Sequence, residues 1–295
     1  MRMRIWMVVG GLVLSMLGAS RGEDSSALRA ELERVYHKWR GAIINKDVNA
    51  WQGSTSRYRQ VQTRNLMVSQ RQPYPAAVFQ IPMQPPDIVT LRLLEAEAVG
   101  PTAHLIYFGK VDVGIEADEV PENLLMLRFI KDPEGWRFDS SRMVNLENAP
   151  EIRQKLKERG DADFLNDPEF NPPGTAPAVP PVCPVPDHMA AFRVEAMGYE
   201  VVLKINGFDY PPLGGVAVTQ LIIGGLRQGE NDVTVNIRAT EVPEGEERHL
   251  LVALMVVNPD PSVKPVVISQ FETSDPNPPA VRKMTAWVNN SVLKR

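Results

Sequence analysis

The chain has 295 residues, 43% of them hydrophobic and 23% charged, the texture of a folded protein with enough length for two cores. A formal charge of −4 offers no basic field for nucleic acid, and the single cysteine, Cys183, excludes an internal disulfide. P-loop, GxGxxG, HExxH, GxSxG and CxxC spacings are missing, so nucleotide hydrolysis, dinucleotide redox chemistry and the common hydrolase layouts have no motif to rest on.

Residues 1–22 read as a secretory signal peptide. Arg2 and Arg4 precede an apolar run from Ile5 to Ala19, followed by small residues at a cleavage position. That run is about 15 residues, short of the ~20 a membrane span needs. The chain is therefore expected to be exported to the periplasm or beyond the cell, with no membrane span after cleavage. Removing the segment takes Arg2, Arg4 and Arg21 with it and makes the remainder more acidic.

The first unit is expected over 23–170. Leu28, Leu32, Val35, Trp39 and Ile43 recur in steps of three and four, which predicts one face of a helix. Asn45-Lys46-Asp47 breaks it, with Asp47 placed to cap a short helix carrying Val48, Ala50 and Trp51. A third helix is expected over Arg57 to Gln70, bounded by Pro73 and Pro75. Strands are then expected from about Ile88, through LRLLEAEAVG, TAHLIYFGKVDVG, NLLMLRFI and GWRFDSSRMVNL, punctuated by Gly100-Pro101 and by the turn from Lys131 to Gly135. Glu33 and His37 are spaced as a surface pair on the first helix.

Trp39, the turn Asn45-Lys46-Asp47, Trp51, the strand end Tyr107-Phe108-Gly109 and the late strand closing in Gly135-Trp136-Arg137-Phe138 together resemble the NTF2-like superfamily. The resemblance implies an α+β cone, with helices packed on a curved antiparallel sheet, often around an apolar cavity and often dimeric through the sheet. It implies neither catalysis nor its absence, since members include isomerases, dehydratases, hydrolases and plain binding modules.

Within such a cone, alternation puts His104 on one strand face with Ile106 and Phe108, and Arg128 on one with Leu124, Met126 and Ile130. His104 is the candidate acid or base and Arg128 the candidate anion stabiliser. Tyr36, Trp39 and Trp136 complete the candidate ligand-binding set. No cofactor and no metal site is expected, because His37, His104, His188 and His249 are widely separated in sequence.

Residues 171–186, NPPGTAPAVPPVCPVP, can form neither a helix interior nor a central strand and read as a proline-rich linker. Cys183 within it is expected to be exposed. From 187 to 295 strand signals dominate: AFRVEAM, YEVVLKIN, VAVTQLII, NDVTVNIRAT, HLLVALMVV, PVVISQFE and VRKMTAWVNN, with Asn206-Gly207 suited to a tight reversal. They predict an all-β sandwich of the generic kind seen in exported bacterial proteins. Phe208, Tyr210 and Trp287 are its candidate carbohydrate-binding platforms. The expected function is that of a non-catalytic binding or interaction module of the cell envelope, with an unidentified protein, a glycan or a small apolar ligand as partner. The alternatives are a cavity enzyme of the lyase, isomerase or hydrolase type, and glycan recognition by the sandwich.

Overall fold

The structure is a computed structural model describing residues 20–80, 83–114, 120–159, 163–242, 245–260 and 262–289. The signal-peptide reading falls almost wholly on residues outside these. The chain divides into two compact units, residues 1–42, 53–56 and 83–176 in one and residues 43–52, 57–82 and 177–295 in the other. Both combine helices with antiparallel sheets, and among the described residues no helix is long and apolar enough to cross a membrane.

In the first unit a four-stranded antiparallel sheet runs in the order β1 (Arg92–Val99), β2 (Thr102–Lys110), β3 (Glu122–Asp132) and β4 (Gly135–Val144). Alternation separates its faces. Leu105, Tyr107, Leu125, Leu127 and Phe129 face α1 (Ser20–Asn45), which contributes Leu32 and Tyr36 to the same core. Ile106, Phe108, Leu124 and Met126 form a second core on the other face, with Leu156 of α4 (Pro150–Arg159), Leu165 and Phe170.

The strand expected near Ile88 starts only at Arg92. The Asp87 carboxylate accepts the Val89 N–H at 3.0 Å, and α1 holds the approach: the Tyr36 hydroxyl donates to the Pro86 carbonyl at 2.8 Å and Arg40 Nε to that of Pro85 at 3.0 Å. This local turn satisfies backbone groups that a ladder would otherwise take. Glu33 accepts from Arg29 at 2.9 Å and from the Tyr107 hydroxyl at 2.7 Å, so its partners are not His37.

The second unit contains most of α2 (Val48–Ser54), capped by Asp47 accepting the Ala50 N–H at 3.0 Å, and α3 (Arg57–Ser69). Its strands are β5 (Ala190–Ile205), β6 (Phe208–Asp209), β7 (Leu213–Leu221), β8 (Gly229–Ala239), β9 (His249–Val256), β10 (Val266–Thr273) and β11 (Val281–Val288). The two strands expected at AFRVEAM and YEVVLKIN are one strand, the 16-residue β5. Gly198, with a φ of 72°, bends it without ending it. A Cβ there would lie 2.5 Å from a Val242 methyl, so only glycine fits the bend.

One edge of β5 pairs with β9 over its first half and with β8 over its second; the other edge pairs with β7 and then β6. All seven strands thus belong to one hydrogen-bonded network, and β10 lies alongside β11 so that the sheet nearly closes. The strands of the expected sandwich form one antiparallel network in which a single long bent strand serves both halves. Asn206 and Gly207, both at positive φ, make the tight reversal from β5 to β6.

The proline-rich run does not hang free. Asn65 of α3 is 2% exposed; its amide donates to the Pro181 carbonyl at 2.8 Å and accepts the Cys183 N–H at 2.9 Å. Arg64 donates to the Cys183 carbonyl at 2.9 Å, and Arg71 donates to the carbonyls of Pro186 and Asp187. The Ser69 hydroxyl accepts the Gly224 N–H at 2.7 Å. Truncating Asn65 to Ala removes both bonds and strands the buried Cys183 N–H, which should cost about 2 kcal/mol of stability. Asn65→Asp keeps the acceptor for Cys183 but sets a buried carboxylate oxygen against the Pro181 carbonyl, so it should lose at least as much. Urea midpoints of the three proteins check this order.

Candidate functional site

Strand pairing brings together residues that sequence spacing kept apart. The two-residue connection at Gly100-Pro101 aligns Val99 with Thr102 and therefore Glu97 with His104. His104 is in turn opposite Arg128, and Arg128 opposite Ser140, so Glu97, His104, Arg128 and Ser140 form a row across all four strands on one face. Glu95, opposite Ile106, projects from the same face one step along β1. A bulge between Leu93 and Glu95 sets that register.

His104 is 1% exposed, and its Nε2 lies 3.5 Å from the Glu95 carboxylate. Both atoms are buried, and neither completes a hydrogen bond among the described residues. Burial, reinforced by the Arg128 charge, lowers the imidazole from 6.5 to about 4, so His104 is neutral at pH 7. Burial and then the neighbouring Glu97 raise the Glu95 carboxyl. The Arg128 Nε–H points to the Met126 sulfur at 3.2 Å.

The remaining candidates lie elsewhere. Tyr36, Trp39 and Trp136 are on the α1 side of the sheet, so the candidate ligand set does not converge: His104 and Arg128 are on the opposite face. Tyr36 stacks on Trp39 at 5.8 Å, Trp39 meets Phe138 at 4.0 Å, and Phe129 meets Phe138 edge-on at 5.8 Å. Burial raises the Tyr36 phenol well above its usual range. These rings pack on one another as core.

In the second unit Tyr210 is 8% exposed, edge-on to Phe192, and its oxygen accepts the Ile223 N–H at 2.7 Å. Burial pushes its phenol up to about 12. It is therefore no exposed platform. Phe208 is half-buried against the core, and Trp287, at 55%, is the exposed member of the three. Cys183 is 1% exposed, correcting its expected exposure: the sulfur contacts the Asn65 carbonyl at 3.6 Å and Ser69 Oγ at 3.9 Å.

Glu95 and Glu97 escaped the sequence reading. The available signal was the pattern ExE ahead of a Gly-Pro reversal, from which the hairpin register places a glutamate against His104. No protein-family model, curated protein or solved structure matches this chain.

Two outcomes test this geometry. The unfolded chain protonates His104 near 6.5 and the folded chain only near 4. Acidification through that window therefore favours unfolding, by up to about 1.4 kcal/mol per pH unit from this group. A His104→Gln protein should lack that component, and the difference between the two stability curves should flatten below about pH 4. Separately, Cys183 should react with a thiol reagent only after denaturant is added, with one thiol then titrated per chain.

Proposed function

We propose that this chain is an exported, non-catalytic interaction protein of the cell envelope, its first unit an NTF2-like α+β domain and its second a β domain that pairs with a second copy through the free edge of β7. The observation that carries the reading is the character of β7. It spans nine residues, LGGVAVTQL, without a charge or a proline, and most of it is exposed. Its inner edge pairs with β5, and no described strand takes its outer edge.

The edges of the first unit's sheet are defended in the usual ways. β1 carries Arg92, Glu95, Glu97 and a bulge, while β4 is met by Thr55 in a parallel bridge and by the Ser56 N–H at the Phe138 carbonyl, 2.8 Å away. Those features argue against dimerisation through the first unit's sheet. β7 has no such defence beyond Pro211 and Pro212, which end pairing at Leu213. An uncharged strand laid antiparallel on its own copy opposes no like charges, and the two-fold symmetry closes the assembly. The NTF2-like assignment of the first unit draws its support from Trp39 and the strand ends Tyr107-Phe108-Gly109 and Gly135-Trp136-Arg137-Phe138, together with an antiparallel sheet packed on α1. The ring-packed α1 side favours binding at surfaces over chemistry in a cavity.

The register names the residues to change. The Ile222 N–H bonds to the Ala190 carbonyl, so Val216, Val218 and Gln220 direct their backbone groups toward β5, while Ala217 and Thr219 direct theirs outward. Thr219→Pro removes an outward donor without touching the β5 ladder, and Ala217→Lys sets like charges against each other across the pair. In sedimentation velocity over a concentration series, the full chain should dimerise and both variants should remain monomeric with unchanged circular dichroism. A wild-type chain monomeric throughout, or variants that dimerise as well as it does, would sink the proposal.

A further inference from the structure

We infer that Glu95, Glu97 and His104 form a binding site for one divalent transition-metal cation, with Zn²⁺ as its representative, on the face of the first unit's sheet turned away from α1. The site is independent of the β7 edge. Three ligand atoms, one from each side chain, lie within 4.8 Å of one another. A first-row cation holds oxygen and nitrogen donors at about 2.0–2.2 Å, which brings such atoms to within roughly 3.5 Å of each other. The contraction needed is a small rotation of two half-buried glutamates projecting from the same side of β1.

The buried imidazole points to a ligand. A histidine 1% exposed with a ring nitrogen unpartnered among the described residues is a costly arrangement in an apolar sheet. That nitrogen is aimed at the Glu95 carboxylate, itself carrying a buried oxygen without a hydrogen bond, and a cation between them satisfies both atoms at once.

The donor chemistry agrees. Neutral imidazole and ionised carboxylate are the protonation states that a metal requires. Two carboxylates on one strand face repel each other, and a divalent ion between them removes that repulsion while outweighing the single positive charge of Arg128 across the row. One imidazole with two carboxylates suits Zn²⁺ or Mn²⁺ over soft thiolate-seeking ions, and leaves coordination positions for water or an exogenous group.

The test uses the full chain, stripped with a chelator and titrated with ZnCl₂ by calorimetry, alongside His104→Gln, Glu97→Gln and, as control, His249→Gln. His249 is the control because it lies 3.7 Å from Glu195 and 3.8 Å from Glu272, an exposed group that could capture zinc adventitiously. The expected result is one ion per wild-type chain, with affinity reduced more than about tenfold in His104→Gln and in Glu97→Gln, and unchanged in His249→Gln. The half-buried Glu97→Gln variant keeps the test valid should the buried His104 substitution unfold the sheet. Zinc should also shift the His104 Nε2 resonance of the wild-type chain. Absence of binding would leave His104 and Glu95 as a bare internal contact and overturn the inference. So would binding that survives Glu97→Gln or is lost only in His249→Gln.

Discussion

A proline-rich segment cannot hydrogen-bond to itself, and this governs the second unit. Prolines supply carbonyls but no N–H donors, so a run such as Pro180 to Pro186 packs only where another element brings donors to it. Helix α3 and the turn after it bring them, with Arg64 and Asn65 on the helix and Arg71 just past its end meeting the carbonyls of Cys183, Pro181, and Pro186 with Asp187. Asn65 is the pivot because an amide can donate and accept together, and it reads the backbone on both sides of Val182. Ser69 then ties the same helix to Gly224 in the loop after β7. A stretch with every mark of a flexible linker thereby becomes a strap, and its cysteine becomes a core residue.

The same unit shows what one long strand can organise. β5 is bent at Gly198, and the bend lets one edge hand over from β9 to β8. The carbonyl of Gly198 is held by the Thr240 N–H at 2.9 Å and by Arg248, so the pivot is fixed even though its side chain is absent. A cost of this plan is that the opposite edge of β5 ends in β7, which has nothing described beyond it.

In the first unit, polar clustering and aromatic packing are sorted by face. The α1 side is filled with aromatic rings and carries the Glu33 and Tyr36 hydroxyl contacts that seat the helix. The other side has an apolar part under α4 and a polar row across the four strands, where His104 meets Glu95 and Glu97 at its β1 end. Separating the two means that the polar cluster need not disturb the main core of the unit. It also explains why an imidazole could be buried there at all: it sits where the apolar cover gives way to carboxylates.

Local pattern in the sequence was sufficient for the first three helices, the Asp47 cap, the Gly100-Pro101 and Asn206-Gly207 reversals and most strands, because each depends on neighbours within a few residues. Tertiary structure alone decided the rest. Whether Gly198 ends a strand or bends it depends on Val242 and Thr240, some 40 residues away. Whether Cys183 is exposed depends on an amide on α3, and whether Tyr210 offers a surface or fills a core depends on Phe192. Alternation put His104 on a strand face with Ile106 and Phe108 and Arg128 on one with Leu124 and Met126, and strand pairing made these one face, but which face α1 would cover is not a local property. That choice is made by which side presents the larger continuous apolar area to the helix, and it moved His104 away from the aromatic set and toward two glutamates.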